Sequence, residues 1–266
     1  MDFTPRTVAK APEIVALIDA AMERKNAAQP GRTYLGASRL GEECHRKLYF
    51  EYTNAPKDKG FSGQTLRMFD MGHDGETRVA EYFRTAGFDL RTENKDGKQF
   101  GFYIAKDPAT GQARIAGHAD GIFAGGPPVL LYPCLWENKA LGAKSWSDVK
   151  ENGVKKSKPV YYSQMQMYMY QFAIHENPSV FTAINRDTGE LFIELVPFDA
   201  AEVQKCINKG VNVVTARHEN EVPRIASTET DWRCKWCDFK GHCWKNTVQM
   251  SVVNDPTNFN PFASVK

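Results

Sequence analysis

Two sets of residues carry chemistry by their type and spacing. In Ala116-Gly117-His118-Ala119-Asp120-Gly121-Ile122 the two-residue period of a strand puts Asp120 on the face of Ile122. In Leu135-Trp136-Glu137-Asn138-Lys139 the same period puts Glu137 and Lys139 together. The turn signal Gly125-Gly126-Pro127-Pro128 lies between the runs, so 112–123 and 129–139 read as adjacent antiparallel strands that set Asp120 beside Glu137. Two carboxylates that close repel each other unless a cation lies between them, and hard oxygen ligands select Mg²⁺ or Mn²⁺. A lysine aimed at the same place can orient or deprotonate a water and balance developing charge. This is equipment for metal-assisted phosphodiester hydrolysis.

The spacing Glu-x-Lys is not rare in the chain. It recurs at Glu23–Lys25 and Glu93–Lys95, where an exposed charged face is the ordinary reading. Glu137 and Lys139 differ in context, because they follow the apolar run Val129-Leu130-Leu131-Tyr132. A charged couple is costly to bury there unless it is used, and Pro133 marks a bulge or an edge position. Glu76 falls on the apolar stripe of a helix, one turn from Gly72 and Ala80, and reads as a third metal ligand. Gln164 and Tyr168 lie four apart on one helical face and offer an amide and a phenol for a phosphate or for the lysine. Gln166 and Tyr170 share that spacing, and a Met and Tyr stripe that merely fills the core is the plainer alternative.

The second set is cysteine. Cys234, Cys237 and Cys243 form Cys-x2-Cys-x5-Cys, a coordinating set that wants a fourth ligand. Cys44 is the best candidate and His242 is the other; on spacing alone, zinc and an iron–sulfur centre stand level. Cys134 and Cys206 read as free buried thiols.

The elements that must position these groups follow from periodicity and punctuation. Helices are expected over 12–28, with Ile14, Leu17, Ile18 and Ala21 as an apolar stripe, over 43–53 from Cys44, and over 66–86 up to Gly87. A helix apolar almost all round is expected over 158–174, and another over 199–218. Strands 179–186 and 190–197 meet at Asp187-Thr188-Gly189-Glu190. Strands between helices give an α/β fold with a mixed central β-sheet flanked by helices.

Composition bounds the rest. The 266 residues are 42% apolar and 25% charged, with a net charge of +2, which argues against a generally cationic coat but leaves room for a local basic groove. No run is long and apolar enough to span a membrane, and the first residues lack a signal-peptide pattern, so a cytoplasmic location is expected. Lys144, Lys150, Lys155, Lys156 and Lys158 crowd a segment read as a loop between Lys139 and the Gln164–Tyr168 helix, suited to phosphate contacts. Arg233, Lys235, Lys240 and Lys245 interleave with Trp232, Trp236 and Trp244, which either stack on unpaired bases or pack around the metal site.

Gly72-x-x-x-Glu76, Gly117-x-x-Asp120, Glu137-x-Lys139 and Gln164-x-x-x-Tyr168 stand in an order that resembles the RecB-like PD-(D/E)xK nucleases, including phage exonucleases of the lambda type. The resemblance runs from about residue 30 to 245 and implies a restriction-endonuclease-like core. It implies that Asp120 and Glu137 bind the metal with Glu76, that Lys139 activates or positions water, and that Gln164 and Tyr168 organise the substrate. His73 stands three residues short of the position where many relatives carry a histidine. One cysteine before the core and three after it look like the [4Fe–4S] staple of the AddB-type and CRISPR-associated branch, with Cys44, Cys234, Cys237 and Cys243 as ligands and structural zinc as the alternative. The implied organisation is an N-terminal helix in 1–29, a nuclease domain over 30–247 whose metal-cluster subdomain joins about 38–55 to 230–247, and a tail over 248–266. The implied function is a divalent-metal-dependent DNA exonuclease in phage or bacterial recombination. Its partners would be DNA with single-stranded or free ends and a recombination or CRISPR-adaptation protein. The rival is a non-catalytic DNA-binding module.

Overall fold

The computed structural model describes residues 11–245, so the first ten residues and 246–266, including the expected tail, lie outside the described part. The fold is a mixed α/β arrangement. A five-stranded sheet has the order β2 (Asp89–Arg91), β5 (Gly121–Gly125), β6 (Cys134–Leu141), β7 (Ser179–Asn185), β8 (Leu191–Val196). Its β6–β7 pair is parallel and its other pairs are antiparallel. A smaller sheet sets β4 (Ala113–His118) between β1 (Leu35–Gly36) and β3 (Gly101–Lys106). The run 112–123 is therefore not one strand. It passes from the small sheet to the large one at Ala119 and Asp120, so Asp120 sits in the bend between them.

The expected antiparallel pairing around the Gly126 turn is present: Gly121 faces Trp136, Ile122 faces Leu135 and Phe123 faces Cys134. The second strand is shorter than expected and starts after Pro133, which lacks the N–H a ladder needs. Val129 and Leu131 precede it as exposed loop residues, not as strand.

Helices cover both faces of the large sheet. Helix α3 (Gly63–Thr85) lays Val79 and Ala80 on Leu90, Phe123, Trp136 and Val180. It ends just before Gly87, whose φ of +89° suits the left-handed position past a helix end. On the opposite face α4 (Ala143–Ser157), α5 (Pro159–Gln171) and α6 (Ala200–Thr215) enclose the main core with Leu135, Phe181 and Ala183. Asp199 caps α6 by accepting from Glu202 N at 3.1 Å.

Two expectations about helices need correction. The segment with the lysine run is helix α4, not a loop. Trp146 and Val149 are buried one turn apart, Val154 is buried beyond a kink at Gly153 (φ +73°), and the lysines between them obscure that pattern. Several of the lysines are engaged within the chain: Lys155 pairs with Asp199 at 3.0 Å, Lys158 lies 3.6 Å from Asp148, and Lys156 donates to Asn152. Helix α1 (Pro12–Ala27) forms as expected, but among the described residues Ile14, Leu17 and Ile18 are exposed and pack on no core. Its contact with α3 is polar, through Asp19 with Arg67 and Glu23 with the Gly63 amide.

Gly117 in β4 matters for packing. A Cβ there would lie 2.6 Å from the Phe102 ring and 2.9 Å from the Tyr168 ring, which stand edge to face against each other. Gly117→Ala is expected to cost about 1–3 kcal/mol through overpacking. Urea denaturation of the variant checks this, and an unchanged midpoint contradicts it.

Candidate active site

The β6 ladder aims Glu137 and Lys139 at the α5 face of the sheet, where Phe181 and Ala183 of β7 are their register partners. Lys139 Nζ hydrogen-bonds Glu137 Oε1 and lies 3.8 Å from Asp120 Oδ2. Asp120 is fixed from the other side, because its Oδ2 accepts from the Asn138 backbone N–H at 2.8 Å. The bend between β4 and β5 thus delivers the Asp120 carboxylate to β6. Asp120, Glu137 and Lys139 do meet.

Helix α5 closes the site. Gln164 Nε2 donates to Glu137 Oε2 at 2.8 Å, so both oxygens of this fully buried carboxylate have donors. The same helix disposes of the rival register. Gln166 points elsewhere, donating to Pro197 O at 3.1 Å and accepting from Asp199 N at 2.7 Å, and Tyr170 is 38% exposed. Tyr168 is buried beside the His118 backbone and the two carboxylates. Glu76 on α3 is close enough to feel Asp120 and Lys139, and it borders a surface cleft with Arg84, Thr92 and Glu93. His73 is exposed, one turn away on α3.

Two neighbours were not visible beforehand. Tyr161 places its ring 5.1 Å below Lys139 Nζ, a cation–π contact with no sequence signal beyond a tyrosine in an apolar helix. Asn138 has a buried side-chain amide with no hydrogen-bond partner on oxygen or nitrogen, and its position between Glu137 and Lys139 was the available signal.

Electrostatics follow from counting charges. Three carboxylates face one ammonium in a place largely closed to water. Burial, then the charge of Asp120, pushes Glu137 up to about 8 and Glu76 up to about 7. Burial alone would lower Lys139, but Glu137 and Asp120 outweigh it and raise its pKa. Tyr168 is also raised, first by burial and then by the carboxylates, so its phenol keeps its proton.

Among the described residues no three of His, Cys, Asp and Glu are arranged to hold a metal ion. The expected trio of Glu76, Asp120 and Glu137 therefore does not close as a ligand set, and the reason is visible: the ammonium of Lys139 stands between Glu137 and Asp120. The donor chemistry still fits a hard cation, since the excess of negative charge exceeds what one lysine can balance.

The cysteines lie elsewhere. Cys44 precedes α2 (His45–Tyr52), and Cys234, Cys237 and Cys243 belong to a lobe ending in α7 (Lys240–Lys245). All four line one cavity, together with Lys47, Phe50, Arg224 and Lys240. His242 is not among its lining residues and packs edge-on to Phe50. Burial and the neighbouring thiols raise Cys234 and Cys237, while Arg224 Nε donates to Cys243 Sγ at 3.3 Å. Cys134 and Cys206 are buried apart from this group, both pushed up to about 11 chiefly by burial.

No protein-family model matches the chain, and no curated protein does. Among solved structures, the protein SSO0001 is 14% identical with a TM-score of 0.49, covering 85% of this chain and 94% of that one. An alkaline exonuclease from Laribacter hongkongensis, LHK-Exo, also solved with dAMP, is 15% identical with a TM-score of 0.43, covering 75% of this chain and 91% of its own. At this level the likeness describes the backbone and no more.

The charge imbalance has a pH signature. Glu137 and Glu76 have folded-state pKa values above their ordinary ones, so their protonated forms favour the fold. That contribution is complete below the unfolded carboxyl value and is lost as pH rises through about 7 to 8. In chelator the unfolding free energy is expected to fall between the ordinary carboxyl value and about 7 to 8, by at most about 1.4 kcal/mol per pH unit for each proton, and the melting temperature with it. Glu137→Gln should flatten the slope, and Mn²⁺ should stabilise the wild type more above the window than below it. A pH-independent melting temperature contradicts the charge count.

Proposed function

We propose that the protein is a Mg²⁺- or Mn²⁺-dependent DNA exonuclease of the RecB-like PD-(D/E)xK type. The observation that carries this is the convergence of Asp120, Glu137 and Lys139, from a bend and a neighbouring strand, onto one buried position. Asp120 and Glu137 would hold the divalent ion, with Glu76 as the third carboxylate. When bound, the ion supplies Lewis acidity and positive charge for in-line attack of water on a phosphodiester.

The chain's own groups have separable tasks. Gln164 fixes the second oxygen of Glu137 and so holds that carboxylate in one orientation. Lys139, hydrogen-bonded to Glu137 and 3.8 Å from Asp120, activates or positions the attacking water beside the ion. Tyr168 keeps its phenolic proton and is a second donor. The P–O3′ bond breaks, leaving a 5′-phosphate and a 3′-hydroxyl.

In the same reading, 30–247 is the nuclease unit, and Cys44, Cys234, Cys237 and Cys243 hold a structural [4Fe–4S] centre that joins about 38–55 to 230–247. All four thiols line one cavity; among the described residues no three of them are set as ligands of an ion, and their type suits a polynuclear centre, with structural zinc as the alternative. Arg224 and Lys240 border the cavity, as does Lys47, which is paired with Glu42 at 2.6 Å.

Digestion of end-labelled linear and circular DNA, single- and double-stranded, tests the activity. Linear forms should be degraded with Mn²⁺ and circular forms spared. Asp120→Ala and Lys139→Ala should each lose about a hundredfold or more in rate while DNA binding persists. Equal degradation by Asp120→Ala and wild type overturns the reading in favour of a non-catalytic binding module.

The cysteine centre has its own test. Protein purified without oxygen should be coloured and contain iron and sulfide, and Cys44→Ser should lose both. A colourless protein with one zinc per chain rejects the iron–sulfur assignment.

A further inference from the structure

Tryptophan offers the largest apolar surface of any side chain, and folded proteins bury most of it. Trp136 and Trp146 follow that rule at 0% and 4% exposure, whereas Trp232 and Trp236 are 78% and 84% exposed. Packing around the cysteine cavity accounts for Trp244, which lines it and lies under Arg224. It does not account for the other two.

The backbone holds this pair in place. A 3₁₀ turn spans Trp232–Cys234 and is capped by Asp231, whose Oδ1 accepts from Arg233 N at 2.9 Å. Further turns link Lys235 N to Trp232 O and Cys237 N to Cys234 O. Cys234 and Cys237 line the cavity while the alternating indoles face solvent. Lys235 Nζ lies 5.2 Å from the centre of the Trp236 ring, and among the described residues it has no carboxylate at ion-pair distance. Between Arg224 and Lys245 five Lys or Arg stand against three Asp or Glu.

We propose that Trp232 and Trp236 form a base-stacking surface on the cysteine lobe that takes single-stranded nucleic acid, with Lys235 against its phosphates. The inference rests on the reading of the substrate as DNA. Its chemistry is specific: Arg233 is paired with Asp231 at 2.7 Å, which leaves Lys235 as the cation between two exposed indoles, and that combination suits a strand of flat bases and anionic phosphates. A protein partner would ask for a contiguous apolar patch depleted of charge, and these two rings are divided by Arg233 and Lys235.

The test uses the full chain with its cysteine centre and no added divalent ion, so that nothing is cut. Binding of labelled oligo-dT and of a blunt duplex is followed by anisotropy, with indole fluorescence as a second signal. Trp232→Ala and Trp236→Ala should each weaken oligo-dT binding by about fivefold or more, with a larger loss in the double variant. Duplex affinity should change far less, Trp→Phe should keep most of the oligo-dT affinity, and the double variant should lose the fluorescence quenching by oligo-dT. Matching visible absorbance and metal content show that the lobe is intact. Unchanged oligo-dT affinity in the double variant overturns the proposal. So does a loss confined to vesicle binding or self-association. Failure of the nuclease reading shows separately, as Asp120→Ala with full activity and ordinary binding.

Discussion

Three carboxylates and one ammonium share a site from which water is mostly excluded, and the surrounding structure is built to tolerate that imbalance. Burying even one unpaired charge is expensive, and Glu137, Asp120 and Lys139 each have a compensating contact, while Glu76 borders a surface cleft. Glu137 accepts from Lys139 and Gln164, Asp120 accepts from a backbone amide, and Lys139 rests on the ring of Tyr161. The contacts lessen the imbalance without removing it: burial first, and then the charge of Asp120, still raise the pKa values of Glu76 and Glu137. A site that would accept a divalent cation carries this unresolved charge by construction.

The topology explains how such a cluster can be assembled. Glu137 and Lys139 need only a strand, but Asp120 must arrive from outside the ladder. The chain achieves this by leaving one sheet and entering another within two residues, Ala119 and Asp120, so that the carboxylate meets the amide of Asn138. Gly117 just upstream admits the Phe102 and Tyr168 rings, which brings α5 down onto the same place. Each constraint is local, and together they place groups from α3, the β4–β5 bend, β6 and α5.

Much of this was legible before any coordinates. The period of two paired Glu137 with Lys139, the Gly-Gly-Pro-Pro signal placed Asp120 beside them, and the Asp187–Glu190 turn gave the β7–β8 hairpin. Other features were hidden for physical reasons. The helix of 143–157 carries so many lysines that its three buried positions do not stand out. The apolar stripe of α1 reads as a core face, yet the helix is held by Asp19 and Glu23 instead. The choice of Gln164 over Gln166 depended on acceptors from remote segments, Glu137 for one and Pro197 for the other, which helical spacing cannot reveal.

The cysteine lobe poses the opposite problem from the carboxylate site. Its apolar cluster is small, centred on Phe50, Phe239 and Cys243, and α7 spans six residues. Asp58 adds hydrogen bonds to the Gly241 and His242 amides, and Asp58 N bonds Asp238 O at 2.7 Å. So little buried surface is a weak foundation for an independent unit, and small units of this kind commonly depend on a metal. Loop-closure entropy grows only logarithmically, so the long separation of Cys44 from Cys234 in sequence contributes modestly to what a bound centre would add. The larger effect would be geometric: a centre shared by the four thiols would tie both ends of the chain's core to one another. The turns from Trp232 to Cys237 already hold Trp232 and Trp236 outward through backbone hydrogen bonds, and a bound centre would stiffen them further.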